Sequence, residues 1–294
     1  MRIAIIGDGR LGAALHGGLC AGWCRRDGAG EGASRGGQRG AHEVRIIGRQ
    51  RAGCDKVRVM NAAADWADVV LVAVKPRDLP VVLPGLRGAL VVSFAAGVTT
   101  DALTALMGCE GSGTGDDASH RNDDLRAGKG RHVPCRIVRA MTDIAVEIGE
   151  ALSVLAPCQE CTVDDIALAQ EVLSSVGRVC VCQEHEIDAY TALSASGIAF
   201  AVHLMDVMAK ALPGGAIGAR EARQAVLHAF EAGVKMMRVG DAQSIVRKVA
   251  SPGGTTEAGL RRIATVDEAL QDVVRGAYLA CRTGGAACGG DDRA

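Results

Sequence analysis

The sequence is poor in aromatic residues, which make up 2% of its 294 residues, and it carries a formal net charge of only -1. Scarce aromatics argue against a surface that stacks nucleic-acid bases, and the charge balance argues against a basic nucleic-acid-binding protein. A long uncharged apolar run is also lacking, because the stretch 189–212 is interrupted by His203, Asp206 and Lys210. We therefore expect no nucleic-acid partner and no membrane span, and we interpret 189–212 as a buried helix in a soluble oligomer.

Cysteine is abundant, with eleven residues, but it does not occur at the spacing of a complete metal site. Met1 leads directly into a strand-like run, so we expect no signal peptide, a cytoplasmic location and reduced thiols. Cys158 and Cys161 form a lone CxxC, which we interpret as part of an interdomain connector. A redox-active pair or half of a zinc site is the alternative. No second CxxC or His pair accompanies it, so we predict no bound metal.

Strands and helices alternate through the first half of the chain. Strand-like segments occur at 2–6, 44–47, 69–74, 90–94 and 135–140. This alternation predicts an α/β Rossmann-like N-terminal domain, with a parallel sheet covered by helices on both faces. After Pro157 the segments become helical, which predicts an all-α dimerisation domain.

We place the domain limits by this change of pattern. The dinucleotide-binding domain is predicted at 1–161, with surface insertions at about 25–41 and 108–132 that are rich in Gly and Arg. The helical dimerisation and substrate domain is predicted at 162–282, and residues 283–294 are predicted to be a disordered tail.

The segment Gly7-Asp8-Gly9-Arg10-Leu11-Gly12 fits the pattern G-x-G-x-x-G. It directly follows a strand and opens a helix, the context in which this pattern predicts dinucleotide binding. The first glycine permits a tight turn, the second lets a pyrophosphate approach the backbone, and the third packs helix against strand. The helix N-terminus then favours the negative charge of the pyrophosphate. An ordinary glycine-rich turn is the alternative interpretation.

The end of the second strand bears on which dinucleotide binds. An NAD enzyme usually has Asp or Glu there, which bonds the ribose 2′-OH. This strand ends Ile46-Ile47-Gly48-Arg49-Gln50-Arg51, without a carboxylate. The Arg49 guanidinium suits a 2′-phosphate, so we expect NADPH. Use of NADH remains the alternative if Arg49 and Arg51 are merely solvated.

Four further segments resemble motifs of the pyrroline-5-carboxylate reductase family. Ala73-Val74-Lys75-Pro76 resembles the family's "AVKP" strand end, and Ser93-Phe94-Ala95-Ala96-Gly97 resembles its "SxAAG". The run DAYTALSASG at 188–197 is similar to "DAxTALSGSG", and VASPGGTT at 249–256 is similar to "VxSPGGTT". The motifs occur in the family's order and span nearly the whole chain, apart from the two insertions and the tail.

The resemblance implies reduction of a cyclic imine, 1-pyrroline-5-carboxylate, to L-proline. It also implies helical domains that interleave into dimers or larger rings. To the cofactor contacts predicted above, Gly7, Asp8, Gly9, Arg10, Leu11, Gly12 and Arg49, the resemblance adds Asn61, Ala73, Val74, Lys75, Pro76, Ala95, Ala96 and Gly97. Implied substrate contacts are Glu184, Ser196, Gly253, Gly254 and Thr255, with catalytic roles for Ser251 and Thr256.

The SPGGTT segment also makes physical sense as an imino-acid site. Its Pro and Gly residues shape a tight turn, and Thr255 or Thr256 can cap the following helix and donate to a substrate carboxylate. An iminium carbon is already electrophilic, so catalysis can rest mainly on positioning. A purely structural turn between two helices is the alternative.

Some residues depart from the family pattern. Thr142-Asp143 stands where the family commonly has Pro-Asn, and Ile198 and Phe200 replace the Pro and Tyr of "GSGPAY". Asp143 would add negative charge near a carboxylate substrate. Two alternative functions therefore stay open: a related imine or ketone reductase with another substrate, and a catalytically weak paralogue that binds a dinucleotide.

Overall fold

The computed structural model describes residues 1–26, 43–48, 56–86, 88–108, 134–214 and 216–282. The insertions predicted at about 25–41 and 108–132 fall almost entirely outside these ranges, and the predicted tail 283–294 falls wholly outside them. The chain forms two compact units, one comprising Met1–Thr191 with the described residues 280–282 and the other Ala192–Leu279.

A seven-stranded sheet with the order β2-β1-β3-β4-β5-β6-β7 forms the first unit. The strands are β1 (Arg2–Ile6), β2 (Glu43–Ile47), β3 (Val69–Val72), β4 (Leu90–Ser93), β5 (Ile137–Met141), β6 (Ala151–Pro157) and β7 (Gly177–Val181). Strands β1 to β5 pair in parallel, β6 runs antiparallel to β5, and β7 runs parallel to β6. Strands β3 and β4 are buried along their whole length, as expected for apolar strands covered on both faces.

Helices cover both faces of this sheet. On one face, α1 (Arg10–Arg26) and α5 (Val163–Ser174) contribute Leu15, Leu19 and Leu173 to the core. On the other face lie α2 (Lys56–Trp66), α3 (Leu79–Val82) and α4 (Thr100–Leu106), with Met60, Leu79 and Leu103 in the core. The predicted Rossmann-like architecture of the N-terminal domain is confirmed.

Two features of this unit differ from the sequence prediction. The predicted sheet is wholly parallel, but β6 is antiparallel, because the connection from Met141 to Ala151 is too short for the dozen or more residues of a crossover helix. The predicted domain limit at residue 161 falls between β6 and α5. The compact unit instead continues to Thr191, because α5 and β7 complete its core and its sheet.

The second unit is helical. It contains α7 (Ser196–Lys210), α8 (Ala219–Met237), α9 (Ala242–Val249), α10 (Thr255–Ile263) and most of α11 (Asp267–Arg282). Among its described residues, the buried hydrophobic side chains are those of Ala192 and Ala222. Larger apolar side chains are exposed along these helices, so a single copy of the unit leaves apolar faces uncovered.

One helical segment, Glu184–Lys210, is long and apolar enough to cross a membrane, although one such helix is weak evidence for a membrane protein. It consists of a 3-10 turn at Glu184–Glu186, α6 (Ile187–Tyr190), a π-helical turn at Thr191–Ala195 and then α7. The π turn lies within the DAYTALSASG motif. Such turns are rare and frequently mark functional sites.

Candidate functional site

A cleft of about 1160 Å³ opens at the carboxyl ends of β1, β2 and β3. The strand order reverses here, because β1 is flanked by β2 on one side and by β3 on the other. Open α/β sheets bind their ligands at such a switch point. Ten of the predicted cofactor residues line the cleft: Gly7, Asp8, Gly9, Arg10, Leu11, Ala73, Val74, Lys75, Pro76 and Ala96.

The three glycines of the motif have the distinct roles that the pattern predicts. Gly7 has a φ of +113°, and a Cβ added there would lie 2.7 Å from the carbonyl oxygen of Ala73. A Cβ at Gly12 would collide with the carbonyl oxygen of Gly7, so only glycine lets the helix pack this closely. A Cβ at Gly9 would meet no atom within 4 Å. The backbone at Gly9 therefore faces open space, where a pyrophosphate fits.

Helix α1 begins at this turn, and the carbonyl oxygen of Gly9 accepts its first hydrogen bond, from Ala13 N at 2.9 Å. The N–H groups of a first helical turn have no intrahelical acceptor, so they favour an anion. The exposed cations Arg10 and Lys75 both line the same cleft. Asp8 and Gly48, the residue after β2, also line this cleft and lie close together. A Cβ added at Gly48 would collide with the Asp8 carboxylate.

Among the described residues, four predicted cofactor contacts do not line the cleft: Gly12, Asn61, Ala95 and Gly97. Ala95 is buried in the core, and Gly97 adopts a φ of +71° in the turn after β4. Asn61 is exposed on α2, and its neighbour Met60 lines the cleft instead. Arg49, on which the NADPH prediction rests, lies outside the described residues.

Sequence reasoning missed several residues that line the cleft: Gly48, Met60, Val81, Val82 and Phe94. Gly48 and Phe94 directly follow strands β2 and β4, which end at this edge. Their place in the cleft could therefore have been predicted from the sequence. Val81 and Val82 lie on α3, and nothing in their local pattern separates them from ordinary core residues.

Glu184, a predicted substrate contact, belongs to a polar cluster in the first unit. Its Oε1 accepts from Thr100 N at 2.7 Å and from Arg139 Nη1 at 3.2 Å, and its Oε2 accepts from Thr100 Oγ1 at 2.8 Å. Arg139 also donates to Asp188 Oδ1 at 3.0 Å, and its side chain is only 7% exposed. Both carboxylate oxygens of Glu184 thus have protein partners, and the carboxylate ties α4 and β5 to the segment that leads into α6.

Asp143 is a structural residue. Its Oδ1 accepts from Ala145 N at 2.9 Å and its Oδ2 accepts from Leu152 N at 3.1 Å, and the residue is buried. These bonds fix the tight connection from β5 to β6. Backbone donors thus occupy both of its oxygens, and the effect of its charge on a substrate stays a prediction.

The SPGGTT segment forms a tight turn between α9 and α10 in the second unit. Gly254 N donates to the carbonyl oxygen of Ser251 at 3.0 Å, and Gly253 has a φ of +74°. Pro252 and Gly253 therefore occupy the two central positions of a type II turn, which favour these residues. The segment is mostly exposed, although Gly254 and Thr256 are half-buried.

The prediction that Thr255 or Thr256 caps α10 is wrong. Gly254 is the N-cap residue, with no side-chain capping bond, and Thr255 and Thr256 are already inside the helix. Glu257 satisfies a nearby donor instead, because its Oε2 accepts from Gly253 N at 2.6 Å and its Oε1 accepts from Arg261 Nη2 at 2.9 Å. Ser196, the last predicted substrate contact, begins α7 directly after the π turn.

The switch-point cleft and its glycine cradle define a dinucleotide-binding protein of the Rossmann type. A family model described as NADP oxidoreductase, coenzyme F420-dependent, matches residues 2–97. A second model, described as pyrroline-5-carboxylate reductase dimerisation, matches residues 184–283.

Proteins named pyrroline-5-carboxylate reductase are similar over most of the chain. The protein from Synechocystis sp. is 32% identical over 227 residues, which cover 74% of each chain. The one from Thermus thermophilus is 29% identical over 274 residues, which cover 90% of each. The chain belongs to the pyrroline-5-carboxylate reductase family.

Solved structures agree on the fold. Pyrroline carboxylate reductase from Plasmodium falciparum, with NADP bound, superposes with a TM-score of 0.74 at 17% identity, covering 97% of this chain and 98% of that one. The Streptococcus pyogenes enzyme gives a TM-score of 0.72 at 20% identity, covering 96% and 98%. The match to a dimerisation domain agrees with the uncovered apolar faces of the second unit and supports self-association of this chain.

Proposed function

We propose that this protein is a cytoplasmic enzyme that reduces 1-pyrroline-5-carboxylate to L-proline with a nicotinamide dinucleotide. The observation that carries the proposal is family membership over both units, from the glycine cradle to the SPGGTT turn. Nothing in the described residues favours a different imine or a ketone as substrate.

The residues of the cleft fit the pyrophosphate and the nicotinamide half of such a cofactor. Gly9 leaves room for the pyrophosphate, the start of α1 supplies N–H donors, and Arg10 and Lys75 add positive charge. The bound dinucleotide supplies a hydride to the substrate. Ala73, Val74 and Ala96 line the wall at the ends of β3 and β4 and exclude water from that region.

We propose NADPH as the preferred cofactor. Support comes from Arg49 and Arg51 after β2, from the NADP oxidoreductase family model, and from the NADP bound to the Plasmodium falciparum relative. The carboxylate of Asp8 lies beside Gly48 at the end of β2 and would oppose a 2′-phosphate, so NADH use remains the competing outcome.

We propose that the SPGGTT turn holds the substrate carboxylate. Glu257 already accepts from Gly253 N, and the donors that a substrate can meet at the start of α10 include the Thr255 and Thr256 N–H groups and their hydroxyls. Ser251 and Gly254 shape the turn, and Ser196 follows the π turn of the neighbouring motif. A cyclic iminium carbon is electrophilic, so orientation by these groups can supply most of the catalysis without a dedicated general base.

We also propose that the self-association is an obligate dimer or a larger ring, because the apolar faces of α7 to α11 need a second copy to cover them.

The test is NADPH oxidation by the purified full-length protein with 1-pyrroline-5-carboxylate, with the product identified by chiral chromatography. We expect L-proline and slower turnover of a six-membered cyclic imino acid. Faster turnover of the larger ring would point to a related imine reductase. NADPH binding without turnover of any imine would identify a non-catalytic paralogue and overturn the proposal.

A further inference from the structure

The pair Cys158 and Cys161 lies in a tight turn inside the first unit, and this position rules out the predicted role as an interdomain connector. The turn follows β6 and precedes α5, and Cys161 N donates to the carbonyl oxygen of Cys158 at 3.2 Å. Cys158 N donates to the carbonyl oxygen of Ile137 at 2.9 Å, which anchors the turn to the start of β5.

The turn brings the two sulfur atoms together. Their Sγ atoms are 3.6 Å apart, and both residues are partly exposed. Cys158 Sγ also lies 3.0 Å from the carbonyl oxygen of Cys135, and Cys161 Sγ lies 3.1 Å from that of Ile137. These backbone contacts hold the side chains in place, so little conformational entropy is lost when the sulfurs react with each other.

The two thiols differ in acidity. The hydrogen bond from Cys161 lowers the pKa of Cys158 to about 6, against an opposing effect of burial, and backbone groups of Ile137, Glu160 and Cys161 add to the lowering. The same hydrogen bond, then burial, and then the charges of Cys158 and Asp165 raise the pKa of Cys161.

Other charged groups at the turn are committed elsewhere. Glu160 accepts from Cys135 N at 2.6 Å, and Asp165 pairs with Arg136. Among the described residues, no cluster of three or more His, Cys, Asp or Glu side chains forms a metal site, so a tetrahedral zinc ion would lack ligands here.

We propose that Cys158 and Cys161 form a redox-active dithiol site that exchanges with low-molecular-weight disulfides. The Cys158 thiolate attacks one sulfur of the disulfide, the S–S bond of the reagent breaks, and one thiolate leaves with the electron pair. A mixed disulfide on Cys158 results. Once Cys158 has lost its negative charge, the Cys161 thiol ionises more easily, because that charge helped to raise its pKa.

Cys161 then attacks the Cys158 sulfur. The mixed disulfide breaks, the second thiolate leaves, and the released thiolates take up the protons of the protein dithiol. The protein is oxidised by two electrons to an intramolecular disulfide, and the small disulfide is reduced to two thiols.

The site is remote from the dinucleotide cleft. Strand β5 runs parallel to β1, so its carboxyl end points to the cleft edge of the sheet and its amino end to the opposite edge. The turn contacts the amino end of β5 at Ile137, a strand length of roughly 15 Å from the cleft edge. The inference therefore does not depend on the proposed reductase activity, and serine at either cysteine should leave that activity unchanged.

The experiment treats full-length protein with oxidised glutathione and follows intact mass and peptide maps. We expect the wild type to lose two hydrogen atoms and to contain a 158–161 disulfide. The Cys161→Ser variant should retain a glutathione adduct on Cys158, and the Cys158→Ser variant should form neither product at this turn. Cys20→Ser, which removes an exposed cysteine outside this turn, is the matched control and should behave at the turn as the wild type does.

A second measurement checks the acidity with iodoacetamide. Between pH 8 and pH 6 the alkylation rate of Cys158 should fall much less than that of an ordinary thiol, because the hydrogen bond from Cys161 lowers the pKa of Cys158. A thiol with a pKa of about 8.5 would slow by roughly 75-fold over that range. A stable wild-type adduct on Cys158, a glutathione adduct on Cys161 in Cys158→Ser, or a 75-fold slowing at Cys158 would each overturn the proposal.

Discussion

The two units of the chain differ in how they bury apolar side chains. In the first, Ile3, Leu71 and Leu90 are fully buried by elements of the same chain. In the second, Val202, Leu212 and Met237 leave 57%, 57% and 56% of their surface exposed. The first unit thus buries its large apolar side chains within its own fold, whereas a single copy of the second leaves many of them exposed. Stability and assembly should therefore respond to different substitutions.

The largest expected effect is on the stability of the first unit. Arg139→Met would leave Glu184 and Asp188 without their buried cation, and breaking a buried pair typically costs about 3–5 kcal/mol. Both tryptophans of the sequence, Trp23 and Trp66, lie in this unit, so their fluorescence during urea unfolding measures the loss.

The control for this measurement is Arg2→Met, which breaks an exposed pair with Asp68 and should cost about 0–1 kcal/mol. Equal losses for the two variants would show that the Arg139 cluster does not stabilise the unit.

The next effect concerns the second unit alone. Val202→Asp places a charge on the exposed apolar face of α7, and burying it between copies should weaken association by about 3 kcal/mol, or roughly 150-fold. Sedimentation at falling protein concentration measures this shift. Val163→Asp, at an 81% exposed valine of the first unit, should leave assembly unchanged. Unaltered association of Val202→Asp would place the interface elsewhere.

A smaller effect is expected on cofactor affinity, which should depend on the first unit. Arg49→Ala should weaken NADPH binding by about 10- to 150-fold, which corresponds to the loss of one charge-assisted contact of about 1.5–3 kcal/mol. NADH binding should hardly change, because NADH has no 2′-phosphate. Titration of both cofactors by fluorescence checks this, and equal losses would mean that Arg49 does not contact the phosphate.

The smallest effect is expected on the KM for the substrate, which should depend on the second unit. Thr256→Ala should raise KM for 1-pyrroline-5-carboxylate by roughly 10-fold and leave NADPH affinity unchanged, since a hydroxyl bonding a charged group contributes about 1.5–3 kcal/mol. Thr265→Ala is the matched control, because Thr265 lies in the turn after α10 and its hydroxyl donates to the Arg262 carbonyl oxygen. Wild-type KM in Thr256→Ala would make the turn a simple helix connector.

The sequence predicted the parts of the fold that depend on local pattern. Strands β1, β3 and β4, the glycine turn and α9 follow from apolar periodicity and turn residues that are close in sequence. The antiparallel β6 did not follow, because its direction depends on the tight connection that Asp143 fixes through Ala145 and Leu152. The domain limit was placed too early for the same reason, since β7 joins the sheet only through β6.

The residues of the candidate site also fall into two groups, those that local sequence predicts and those that it does not. The residues of the glycine turn were predictable because the motif itself implies their geometry. Arg139 and Thr100 were not, because they meet Glu184 across 45 and 84 positions of the sequence, and no local pattern records such a pairing.

The antiparallel pairing of β6 with β5 affects the expected order of folding. Strands β5 and β6 are joined by the few residues from Thr142 to Glu150, whereas Ile3 of β1 must find Val69 of β3 across a long stretch of chain. Closing a short loop costs less chain entropy than closing a long one. We therefore expect the β5–β6 hairpin to nucleate the sheet, so that slow refolding should be sensitive to Asp143 and insensitive to residues of the glycine turn.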